Sequence, residues 1–105
     1  MIPAEKLDAL KAQHGAGKVF TLVRGEVTIA LRKPTRAEYR RFVMKLQDKT
    51  ELYDANEELV RACVLEPSGA ALEAILDEWP GLVTDVGGEL LMLAGMQAKA
   101  EAKKA

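Results

Sequence analysis

Pro34, Thr35 and Glu38 fix a junction between two kinds of structure, and the rest of the chain must fit around it. Upstream, apolar and polar residues alternate, as on a strand with one buried face. Downstream, Tyr39, Phe42, Val43 and Leu46 recur at i, i+3, i+4 and i+7, the stripe of an amphipathic helix. Proline has no N–H to give a ladder and biases Lys33 away from helix, so the strand ends there. Thr35 and Glu38 have the S/T-x-x-E spacing of a capping box. There the hydroxyl accepts from a first-turn N–H, and the carboxylate reaches back to the cap N–H.

The alternating segment reads as a β-hairpin over residues 17–33. Phe20 and Leu22 share one face of its first arm; Val27, Ile29 and Leu31 share one face of the second. Gly25 supplies the positive φ that a tight hairpin turn needs. A two-stranded hairpin alone is marginal in water. Helices must therefore cover its apolar face, or another chain must pair with an edge.

The remaining segments are helical in pattern. Residues 3–13 predict a short first helix with a thin apolar face (Leu7, Leu10), stopped by His14 and Gly15. With its connector it forms a peripheral element over residues 1–16. The junction helix runs from Thr35 to about Asp48 and is basic (Arg36, Arg40, Arg41, Lys45). The next, about Thr50 to Val64, is acidic (Glu51, Asp54, Glu57, Glu58). The two are expected to pack antiparallel with a charged rim. Pro67 ends the third helix and Ser68 is positioned to cap the fourth. Leu72, Ile75, Leu76 and Trp79 continue the helical stripe, and Trp79-Pro80-Gly81-Leu82 makes a turn. A last helix opens at Leu82 and extends to Met96. Gly87 and Gly88 weaken it, yet permit close approach of a neighbouring helix. The helical part thus spans 34–96, and 97–105 form a frayed polar tail. The fold class expected is α+β: one mostly helical domain with an N-terminal β-hairpin. Tyr39, Phe42, Leu59, Cys63, Leu72, Ile75 and Trp79 are expected to be largely buried.

Composition narrows the functional classes. A chain of 105 residues supports one modest core. A net charge of −1 exerts no overall pull on nucleic acid or membranes. There is no apolar run of membrane-spanning length and no basic-then-apolar leader, so a cytoplasmic location is expected. The single cysteine excludes an internal disulfide, and its helical spacing from Asn56, Leu59 and Val60 predicts a buried structural thiol. One His and one Cys do not make a zinc site. Gly15-Ala16-Gly17-Lys18 lacks the earlier Gly and following Ser/Thr of a phosphate loop. Ser68 and Thr84 lack a nucleophile-elbow context. No catalytic constellation assembles, so no enzyme activity, cofactor or metal is expected.

Four motifs in order carry a family resemblance. They are Leu31-Arg32-Lys33-Pro34-Thr35-Arg36-Ala37-Glu38-Tyr39 after the hairpin, Leu59-Val60-Arg61-Ala62-Cys63-Val64-Leu65-Glu66-Pro67, Trp79-Pro80-Gly81-Leu82, and Leu93-Ala94-Gly95. Over residues 19–96 the chain resembles the tail assembly chaperones of long-tailed bacteriophages and of related prophages and gene-transfer agents. The resemblance implies a host-cytoplasmic protein that binds the tape measure protein and keeps that long apolar helical chain soluble. It would help tail tube subunits polymerise and be absent from the finished virion. It also implies a short form and a frameshifted, extended form; Lys103-Lys104 is compatible with a slippery A-rich codon run. The alternatives are a structural head–tail component that stays in the particle, and a small nucleic-acid-binding regulator using the Arg36–Lys45 face. The apolar surplus of the last helix places the expected partner-binding surface at Leu90, Leu91, Met92 and Met96, with the hairpin edge. Self-association to a homo-oligomer is the competing way to cover that patch.

Overall fold

The computed structural model describes residues 2–95. Among them are five α-helices and one antiparallel sheet, the α+β class expected. α1 spans Ala4–His14 and stops at Gly15, whose φ of +101 no helix continues. A single 3₁₀ turn, Ala16–Lys18, leads into β1, Val19–Arg24. β2, Val27–Arg32, pairs with it in unbroken antiparallel register from Val19↔Arg32 to Arg24↔Val27. Only two residues close this hairpin. Gly25 comes first with φ +59, as a type II′ turn requires.

Helices α2, Arg36–Gln47, and α3, Leu52–Cys63, follow. The capping box is complete. The Thr35 N–H donates to Glu38 Oε1 at 2.9 Å, and the Glu38 N–H donates to Thr35 Oγ1 at 3.2 Å. Glu38 also receives a bidentate pair from Arg32 at the end of β2, at 2.8 and 2.7 Å. Arg32 Nη2 then donates to the Ala62 carbonyl in the last turn of α3, at 2.8 Å. A cation there satisfies an orphan carbonyl at a helix C-terminus. One arginine thus ties a strand end, a helix start and a helix end together. The Arg32 guanidinium holds the Glu38 carboxyl down to about 2. Burial pushes the neighbouring Cys63 thiol up to about 11, with the Glu38 charge adding to it.

α2 and α3 are antiparallel, and their charged rim is present: Arg41 and Lys45 both pair with Glu58. The chain then departs from its helical pattern. Val64 to Glu66 is not helix but β3, an edge strand antiparallel to β2. Two β-branched or aliphatic residues before a proline favour extended backbone over another helical turn. The sheet order is β1-β2-β3, so β2 is the centre, and Ile29, Ala30 and Leu31 are buried there.

α4, Gly69–Glu78, and α5, Leu82–Leu93, complete the core. Ser68 stands at the α4 N-cap but its side chain makes no capping bond, contrary to expectation. Gly69 takes φ +58, so the first turn does not present its N–H groups as a regular helix start does. α5 approaches α3 closely at one point. Asn56 is buried, donates to the Leu52 carbonyl at 3.0 Å, and lies against Gly87. A Cβ placed on Gly87 would come within 2.8 Å of the Asn56 Cγ; one on Gly88 would meet nothing. Of the two glycines, Gly87 alone serves the close approach.

Phe42, Leu59, Cys63 and Leu72 are buried as expected, and Tyr39 and Ile75 pack partly buried against them. Trp79 is not: it is 55% exposed. Pro80 is the reason. The residue before proline is steered out of the helical region, and Trp79 sits at φ −129, ψ 73, beyond the last turn of α4. Its i+7 position on the stripe therefore has no meaning.

Candidate protein-binding surface

The surface expected on the last helix does not exist as one patch. Leu90 is fully buried and Leu91 is 7% exposed; both belong to the hydrophobic core. The physical reason is the position of α5. It packs along α3 and buries Leu82, Val83, Val86, Gly87, Leu90 and Leu91 on one broad face, so most of its apolar surplus is internal. Met92 is exposed at 52%. Met96 and the tail 97–105 lie outside the described residues.

The apolar surface that remains open is elsewhere. A groove of about 1010 Å³ lies at the turn end of the sheet. Its walls come from three separate parts of the chain: Ile2, Pro3 and Lys6 at the start of α1; Arg24 to Thr28 around the hairpin turn; and Ile75 with Trp79 to Leu82 between α4 and α5. Glu66 and Pro67 close its floor beside β3. Each wall follows from a local rule. Gly25 turns the hairpin tightly enough to present Val27. Pro80 ends α4 and throws Trp79 out beside the turn, and the Tyr53 hydroxyl donates to the Pro80 carbonyl at 3.3 Å to hold that turn.

The groove's charges are largely satisfied within the chain. Lys6 pairs with Glu66 at 3.3 Å, and Arg24 pairs with Asp85, which also anchors the hairpin turn to α5. The lining is otherwise dominated by Ile2, Pro3, Val27, Ile75, Trp79, Pro80 and Leu82. A large aromatic beside aliphatic neighbours, with neutralised charges around it, suits an apolar protein segment as occupant. Sequence reading misses this site because its parts are far apart in the chain. One signal was present: a tryptophan directly before a proline is unlike the helical positions preceding it.

The basic face of α2 is partly neutralised. Arg41 and Lys45 are engaged by Glu58; Lys33, Arg36 and Arg40 have no ion pair among the described residues. Among the described residues, no group of three or more His, Cys, Asp or Glu could hold a metal ion, and no helix is long and apolar enough to cross a membrane.

Residues 10–103 match the model of a family described as a domain of unknown function (DUF6848). Among solved structures, the chain is similar to an uncharacterised protein from Bacillus stearothermophilus, with a TM-score of 0.74 and 23% identity over 91% of this chain and 98% of that one. That likeness is one of fold. No curated protein matches.

Proposed function

Given that the chain belongs to the DUF6848 family, we propose that it is a protein-binding module of the tail assembly chaperone kind, whose client is an apolar helical segment of a tape measure protein. The observation that carries the binding reading is the groove with Trp79 at its mouth, more than half exposed although it is the chain's only tryptophan. A soluble protein seldom leaves such an aromatic in a large apolar concavity without an occupant. The choice of client rests on the order of the four sequence motifs. The groove replaces the last-helix surface as the proposed contact, because Leu90 and Leu91 are committed to the core.

The test is co-expression with a phage or prophage tape measure protein. Wild type raises that protein's solubility, and Trp79→Glu, folded by circular dichroism, does not. Equal solubilisation by the folded variant removes the groove from the reading. No effect of wild type removes the chaperone.

A further inference from the structure

Among the described residues the sheet has one long edge that no other strand pairs with, and its register is self-complementary. β1 is six residues long and pairs only with β2. The hairpin has a two-residue loop, so Arg24 and Val27 form a hydrogen-bonded pair, as do Leu22 with Ile29 and Phe20 with Leu31. The N–H and C=O groups of Val19, Thr21 and Val23 therefore point away from β2. None of them has a hydrogen-bond partner among the described residues. The usual protections of an edge are missing too: β1 holds no proline, no bulge against β2 and no charge before Arg24. Val23 is 66% exposed.

We infer that this edge binds a second copy of the chain, β1 against β1 antiparallel about a two-fold axis at Thr21, giving a continuous six-stranded sheet. The argument for a second copy is the register. The outward-facing residues must pair with outward-facing residues, which places Thr21 opposite Thr21, and Val19 opposite Val23 at both ends. Three hydrogen-bonded pairs exchange about six backbone bonds. On the face that joins the core, Phe20 then lies opposite Leu22. From Val19 to Val23 every pair matches apolar with apolar or threonine with threonine, the cross-strand combinations that stabilise a sheet. Beyond the strand, Lys18 comes opposite Arg24, whose charge Asp85 already balances. A register centred on Leu22 forms fewer bonds and sets Phe20 against Arg24. The contact is independent of the groove.

Sedimentation of the full chain tests the pairing, with three variants. Thr21→Pro removes an outward N–H while leaving the β2 ladder intact, since proline is tolerated on that side of an edge strand. The expected result is a wild-type dimer and a folded, monomeric Thr21→Pro. Thr21→Cys is expected to cross-link two chains under mild oxidation, because facing residues of a hydrogen-bonded pair have Cα atoms about 5.5 Å apart. Val23→Cys is not, since its symmetry mate would lie about 13 Å away at roughly 3.3 Å per residue. A monomeric wild type overturns the inference. So does a dimer that survives Thr21→Pro, or one in which Val23→Cys cross-links and Thr21→Cys does not. Should Thr21→Pro fail to fold, the two cysteine variants decide alone. Capture of an extended segment of another protein by a monomeric chain would likewise overturn it.

Discussion

Arg32 and Glu38 meet in a bidentate pair across the break made by Pro34, joining the end of β2 to the first turn of α2. Folding lowers the Glu38 carboxyl from an ordinary 4.5 to about 2. A depressed carboxyl contributes its stability above the ordinary pKa and loses it as pH falls toward the folded value. The contribution is therefore whole at neutral pH and fades between about 4.5 and 2. Glu38→Gln is expected to cost about 1–2 kcal/mol at pH 7, a charged hydrogen bond discounted for partial exposure. The gap to wild type narrows below pH 4, as urea unfolding across that range would measure. A pH-independent difference would assign the effect to packing instead.

Gly87→Ala is expected to destabilise by about 1–3 kcal/mol, because the added methyl meets the Asn56 carboxamide, which neighbouring helix packing confines. Gly88→Ala, facing open space, is expected to be neutral or stabilising by up to about 1 kcal/mol through helix propensity. In a double-mutant cycle, Asn56→Ala recovers much of the Gly87→Ala loss, since it makes room for the methyl. Additive losses would show that the two side chains do not share the space.

Trp79→Ala is expected to change stability by less than about 1 kcal/mol, as for an exposed side chain. As the chain's sole tryptophan, Trp79 gives an unambiguous spectrum. In the free protein its emission is that of a hydrated indole and is quenched by iodide. A blue shift with loss of quenching on adding the client places the indole in the interface. Phe42→Ala, in the core, is expected to cost about 3–5 kcal/mol by denaturant unfolding.

Cys63 is fully buried and its thiol is held up near 11, so little thiolate exists at neutral pH. The folded protein is expected to resist thiol reagents and to react at one site per chain once unfolded. Reaction at the same rate in water and in denaturant would contradict the burial.

What sequence reveals here follows the range of the forces involved. Thr35 and Glu38 are three residues apart, and the box they form needs nothing from elsewhere, so it is legible to the atom. The hairpin is legible because alternation and Gly25 act locally. β3 is less so: Val64 continues a helical stripe, and the local pull of Pro67 toward extended backbone becomes a strand through the distant pairing with Leu31. Leu90 and Leu91 are misread for a related reason. A broad apolar face on a helix either packs against a neighbouring helix or meets a partner, and periodicity cannot separate the two. Trp79 is a different case, since the local effect of Pro80 outweighs the longer pattern and was readable.

The place of β3 also sets an order of assembly. β1 and β2 are joined by two residues and can zip early, on the microsecond scale of hairpins. β3 must find β2 across the whole of α2 and α3. If those helices pair first, through their antiparallel apolar faces, they deliver Val64 to Leu31 as neighbours and the long loop never has to close by chance. The Arg32 contact to Ala62 is made in the same movement. Damage to the α2–α3 contact should then slow folding, whereas damage at the far side of α5 should chiefly hasten unfolding. On that order of assembly the rate of maturation is set by a helical hairpin, although the strand it carries holds only three residues.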